Sequence, residues 1–215
     1  IKDDKRVDKK QANRALAKWM TLHPTNVTQK VEFIIEHFAQ NVGHLLRGEA
    51  KAMVVTSSRA AAVRYKVAFD KYIEDHPEYQ DIKTLVAFSG KLKGKEVNHP
   101  GDERLKDDVL RVQEEDEFTE ISMNPGIHGS DLRKVFERPE YRVMLVANKF
   151  QTGFDQPKVV AMYVDKKIAN EVEIVQTFSR LNQTHAGKDI TYIIDFINSP
   201  EVVQAAFRRY DAGAQ

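Results

Sequence analysis

A chain of 215 residues that is 41% hydrophobic and 30% charged carries enough apolar material for one good-sized α/β domain with appendages, or for two small ones. A net charge of +1 gives no overall electrostatic case for nucleic acid, so any contact with DNA has to come from local geometry. The absence of cysteine excludes disulfides and thiolate metal sites and fits a reducing compartment, and no apolar run is long enough to span a membrane.

The chain opens Ile-Lys-Asp-Asp, with neither a Met nor a signal peptide, and reads as a piece of a longer protein. Residues 1–22 are strongly charged, and Ala15, Leu16, Trp19 and Met20 suggest a helix closed by His23-Pro24. We take 1–26 as an N-terminal helical or linker segment. Thr25-Asn26 then offers a cap, and Val27 to Leu46 reads as a long amphipathic helix, with Val31, Ile34, Ile35, Phe38, Val42 and Leu45 at helical spacing. His37 and His44 lie seven apart on a related face. With no carboxylate or third histidine to complete a ligand set, they read as structural or solvated.

From there the pattern changes to short apolar runs: Ala52–Thr56, Thr84–Phe88, Arg142–Ala147, Val159–Val164 and Ile190–Phe196. Helical stretches at Ala60–Ile73, Ser130–Glu137 and Ala169–Gln183 separate them. Runs without clean alternation, separated by helices, predict strands buried on both faces of a parallel sheet. In such sheets ligands bind beyond the carboxyl ends of the strands, which points to Thr56–Arg59, Ser89–Lys91, Asn148–Pro157 and Asp165–Lys167. Residues 91–129 break the rhythm. They are Lys-rich and then acidic at Glu114–Glu117, with Pro and Gly breakers, and read as a partly mobile insertion with short helices at Leu105–Gln113 and Phe118–Met123. Ser199-Pro200 starts a helix that leads out of the domain, so 198–215 begins a following segment.

Two glycine pairs imitate a phosphate loop. Gly90 to Lys95 is one residue short and is followed by Glu96, where a Ser or Thr must hold magnesium; Gly43 to Gly48 is followed by Glu49. Neither can cradle the β and γ phosphates of a nucleotide. The acidic run at 114–117 lacks a fixed scaffold for nuclease chemistry and reads as solvated surface. No metal site is expected.

Two tracts carry more specific information. Val146-Ala-Asn-Lys-Phe-Gln-Thr-Gly-Phe-Asp-Gln-Pro157 gathers Thr152, Asp155 and Gln156 at the end of a strand, which a simple turn does not explain. Val172–Gln183, read as a helix, places Ile174, Val175, Phe178 and Leu181 on an apolar stripe and Gln176, Ser179, Arg180 and Gln183 on a polar face. The first tract resembles motif V of superfamily 2 helicases and the second, Gln-x-x-Ser-Arg-x-x-Gln, resembles their motif VI. They occur in the family's order with one strand between them. Together with Tyr163–Lys166 and Thr191–Phe196, their wording resembles the restriction (R) subunit of type I restriction-modification enzymes, over roughly Val27 to Tyr210.

That resemblance implies an α/β, RecA-like three-layer domain at 27–197 with a mostly parallel sheet and helices on both faces, the second such domain of an ATP-dependent translocase on double-stranded DNA. It implies DNA contacts at Thr56, Ser57, Ser58 and Arg59 (motif IV) and at Asn148, Lys149 and Thr152. It implies ATP contacts at Gly153, Asp155 and Arg180, with Gln176 and Gln183 completing the catalytic face and Arg180 presented across a gap. ATP and Mg²⁺ would be held mainly by a preceding P-loop domain. Modification and specificity subunits would be partners, in the cytoplasm of a bacterium or archaeon. One departure matters: the family's second motif VI arginine falls at position 183, and this chain has Gln183. Two rivals follow: a RecA-like module that has lost catalysis and docks DNA or protein, and an unrelated doubly wound enzyme such as a nucleotide-sugar transferase.

Overall fold

The computed structural model describes residues 17–21, 26–101, 110–147, 155–168 and 170–213. Its centre is a six-stranded sheet, parallel throughout, in the order β1-β8-β7-β2-β6-β3. The strands are β1 (Ala17–Thr21), β2 (Lys51–Thr56), β3 (Lys83–Ala87), β6 (Tyr141–Ala147), β7 (Val159–Asp165) and β8 (Thr191–Asp195). The five apolar runs are five of these strands. The sixth corrects the helix expected before His23: residues 17–21 pair along β8 from Ala17 with Thr191 to Thr21 with Asp195.

Strand side chains alternate between two cores, as a pleated strand requires. Ala52, Val54, Val143, Leu145, Ala161 and Tyr163 face one side, under α1 (Val27–His37) and α2 (Arg59–Asp75). Met53, Val55, Met144, Val146, Met162 and Val164 face the other, under α5 (Leu132–Val135), α6 (Glu171–Phe178) and α7 (Pro200–Gly213). The result is the expected three-layer α/β/α arrangement. Side-chain oxygens start the main helices: Asn26 Oδ1 accepts from Gln29 N at 2.8 Å, Ser58 Oγ from Ala61 N at 3.1 Å and Asn170 Oδ1 from Glu173 N at 2.9 Å. The long helix expected at 27–46 is α-helical to His37. It then widens into a π turn over Phe38–Val42 that keeps both of those residues buried, and reverses through Leu46 (φ 51°), Arg47 (φ 58°) and Gly48 (φ 81°). His37 is a core residue, its Nδ1 2.6 Å from Tyr163 Oη, whereas His44 is exposed.

The insertion is better anchored than its composition implies. It forms a small antiparallel pair, β4 (Lys91–Lys93) with β5 (Glu117–Thr119), and the short helices α3 (Gly94–Asn98) and α4 (Glu120–Met123). Leu92, Val97 and Leu110 join the first core, and the buried Arg64 of α2 donates to the carbonyls of Val97 and Leu110. Only part of the helix expected at Leu105–Gln113 lies within the described residues; that part, 110–113, is not helical. The insertion also closes the outer edge of β3. Asn124 Oδ1 accepts from Val86 N at 2.8 Å, its Nδ2 donates to Val86 O at 2.7 Å, and Glu120 Oε2 accepts from Phe88 N.

Gly94 shows why a glycine stands in that imitation of a phosphate loop. A Cβ there would lie 1.8 Å from Gln113 O, and the Gly94 amide donates to Asp116 O at 2.7 Å. Gly94→Ala should therefore force the two halves of the insertion apart and lower stability on the order of 3 kcal/mol, measured by urea unfolding of the chain.

Candidate functional site

The tracts singled out in the sequence fall on two opposite edges of the sheet. At the carboxyl edge, Thr56 pairs with both Ala147 and Asp165, so β2, β6 and β7 end level. Ser57, Ser58 and Arg59 therefore leave the sheet beside Ala147, the residue before the second tract. Arg59 is exposed and donates from Nη1 to Ser89 O at 3.0 Å, close over Gly90. Ser58 caps α2. Thr56 corrects an expectation: it is fully buried, and its hydroxyl donates to Val146 O at 2.9 Å, so it cannot grip a phosphate. Asn148, Lys149, Thr152 and Gly153 lie outside the described residues.

At the amino edge, Asp155, Gln156 and Pro157 lead into β7. Beyond-the-carboxyl-end reasoning had grouped them with Asn148, but a connection between parallel strands must return to the other edge before the next one starts. Asp155 is exposed and Gln156 is buried. The end of the helical tract reaches the same edge. Lys188, in the loop before β8, donates from Nζ to Pro157 O at 3.0 Å and to Gln183 O at 2.8 Å. The two motif-like tracts thus finish side by side.

The expected helix over Val172–Gln183 holds only to Phe178. Ser179–Asn182 tighten into a 3₁₀ turn, and Gln183 is extended (φ −68°, ψ 129°). The polar face is split as a result. Gln176 is exposed, but Arg180 is only 9% exposed and Leu181 is buried beside it. Arg180 is therefore packed within its own domain rather than presented across a gap, which corrects the simplest form of the expectation. Its Nη2 and the Gln183 Oε1 are buried without a hydrogen-bond partner among the described residues. Burial alone pulls the Arg180 guanidinium down to about 10.

Comparison with known proteins fits this architecture. The family model for type I restriction enzyme subunit R domain 3 matches residues 48–198. The chain belongs to that family. It is 23% identical over 205 residues to a putative type I restriction enzyme MjaVIIP endonuclease subunit of Methanocaldococcus jannaschii, covering 93% of this chain and 17% of that one. It is 25% identical over 182 residues to the type I restriction enzyme HindI endonuclease subunit of Haemophilus influenzae, covering 82% and 15%. The chain thus spans about one-sixth of the length of the curated relatives it matches. Among solved structures it is similar to S. cerevisiae Dbp5 bound to Gle1 and IP6, with a TM-score of 0.50 at 13% identity, covering 91% of this chain and 39% of that one. At that identity the likeness speaks for the fold, which is the RecA-like fold of helicase C-terminal domains.

In this R-subunit domain two other cations, the buried Lys51 and the half-buried Arg142, hold backbone carbonyls. Lys51 donates to Arg138 O and Tyr141 O, and Arg142 to Gly43 O and Ala50 O, both at the amino edge. Sequence reading missed Lys188 and Lys30, which carry no motif; it placed Asp165 at a carboxyl-end loop but not its buried pairing with Lys30, 2.9 Å away. No cluster of His, Asp and Glu suited to a metal occurs among the described residues, and no described helix is long and apolar enough to cross a membrane.

Proposed function

We propose that this chain is the second RecA-like domain of an ATP-dependent double-stranded-DNA translocase, the motor and endonuclease subunit of a type I restriction-modification system. Membership of the R-subunit family over residues 48–198 carries the reading. The two-edged geometry supports it. Ser57, Ser58 and Arg59 would take duplex phosphates at the carboxyl edge in sequence-independent, salt-sensitive contacts, to which the motif V resemblance adds Asn148, Lys149 and Thr152. Gly153, Asp155 and the Gln176–Gln183 tract would face ATP, which a preceding P-loop domain holds together with Mg²⁺. The Arg180 Nη2, without a partner among the described residues, is a donor and fits an anionic acceptor; the Gln183 oxygen, likewise without a described partner, does not, unless the amide turns over. Bound ATP would supply the free energy that closes the cleft between the two domains. The modification and specificity subunits would select the DNA site.

The test is ATP hydrolysis. The full-length subunit should hydrolyse ATP faster with duplex DNA than without it, and these 215 residues alone should show no turnover, because none of the sequence forms a P-loop. Turnover by the isolated chain, or no DNA stimulation in the full-length subunit, would count against the proposal. The burial of Arg180 and the uncharged Gln183 favour a second reading, a domain of the same family that has lost catalysis and docks DNA or protein. In that case Gln183→Arg should confer activity that the natural subunit lacks.

A further inference from the structure

We propose that Lys188 is a positioning residue that ties the end of the motif V tract to the end of the motif VI tract, and so fixes the spacing between Asp155 and the Arg180–Gln183 turn. The catalytic part of this inference rests on the translocase reading above; the clamp itself does not.

Lysine is almost never fully buried unless it is paired. Its long stem lets the ammonium reach water, and burying it costs several kcal/mol unless polar groups replace the lost hydration. Lys188 is only 8% exposed. The bonds that replace water, among the described residues, are to two backbone carbonyls, Pro157 O at 3.0 Å and Gln183 O at 2.8 Å. One acceptor is 31 residues away in sequence, two beyond Asp155; the other is 5 residues away and ends the 3₁₀ turn that carries Arg180.

The backbone behind the ammonium is fixed as well. Lys188 N donates to His185 O at 3.0 Å, closing a turn around Gly187 (φ +81°). A Cβ at Gly187 would touch Leu46 Cδ2 at 3.8 Å, so the loop sits against the Leu46–Gly48 reversal. On the other side Lys158 pairs with Glu49 at 3.1 Å. The buried Lys51 and the half-buried Arg142 are built alike, each a cation holding two carbonyls, but they join strand starts and turns. Lys188 alone of the three joins the two tracts that the function places at the nucleotide. Burial brings its ammonium down to about 8, which agrees with a site built from carbonyls without a carboxylate.

The test uses the full-length subunit with Lys188→Met, which keeps the stem and removes the donors, and Lys188→Arg, which keeps a cation able to reach both carbonyls. In Lys188→Met, amide hydrogen exchange should rise about tenfold in both 155–158 and 182–187. DNA-stimulated kcat should fall about tenfold, with KM for ATP and affinity for duplex DNA each within about twofold, because the spacing acts on the transition state. Lys188→Arg should return exchange and kcat to within about threefold of the natural protein. A rise in exchange confined to one tract, or unchanged kcat where exchange has risen in both, overturns the proposal. Should Lys188→Met melt below the assay temperature, Lys188→Arg decides: protection of both tracts supports the clamp, and loss in either overturns it. A natural subunit without ATPase would sink the translocase reading while the exchange data still decide the clamp.

Discussion

Asp165→Ala should destabilise the domain by about 3–5 kcal/mol, the cost of stranding a buried partner of the opposite charge. Asp165 ends β7 at the carboxyl edge and is buried. Its Oδ2 accepts from Lys30 Nζ at 2.9 Å and from Tyr65 Oη at 2.7 Å, and both donors are buried too. Burial, with the Asp165 charge next in size, pushes the Tyr65 phenol well up, so it stays a neutral donor. Removing the carboxylate leaves an ammonium and a hydroxyl without an acceptor between α1, α2 and the sheet. Urea unfolding of the variant measures the loss. A second variant separates the charge from the packing: Lys30→Met added to Asp165→Ala removes the stranded ammonium and should recover part of the loss, which a double-mutant cycle reads directly. A loss under about 1 kcal/mol in the single variant would mean that water reaches the site and the pair contributes little.

The five inner and flanking strands were legible because each is a near-continuous apolar run, the mark of a strand covered on both faces. β1 was not. Ala17-Lys18-Trp19-Met20-Thr21 lies at the sheet's edge within a charged stretch, and five residues admit either a helical or a strand reading. The pairing with β8, which lies far along the chain, decides it. The insertion misled for a related reason. Its core residues Leu92, Val97 and Leu110 are spread too widely to show a period, and they meet only in the folded chain, where Arg64 donates to the carbonyls of Val97 and Leu110. The polar face of the Val172–Gln183 tract went wrong at one residue. Helical spacing assumes an α-helix to Gln183, but the α-helix ends at Phe178 and Ser179–Asn182 form a 3₁₀ turn in which Arg180 is buried. The two-edged division of the site was legible only in part, because no local pattern shows at which edge a long connection ends.

Arg180→Ala should lower the DNA-stimulated kcat of the full-length subunit by about 10²–10³, with a much smaller change in KM for ATP. The expectation follows from cost. An arginine held nine-tenths out of water, with Nη2 lacking a partner among the described residues, is unfavourable in the isolated domain unless an acceptor arrives at another stage of the cycle. A phosphate oxygen drawn in by closure of the cleft is such an acceptor, and the bond would form most strongly as charge develops on it. Arg180→Lys separates this from simple packing. Lysine keeps a charge and most of the stem but loses the planar fork, so activity should stay at least about tenfold below that of the natural protein while the melting temperature recovers. If Arg180→Ala melts early and Arg180→Lys restores both stability and full kcat, Arg180 is a strut. The nucleotide-facing role then passes to position 183, where Gln183→Arg should raise kcat by restoring the charge that the motif VI resemblance implies there.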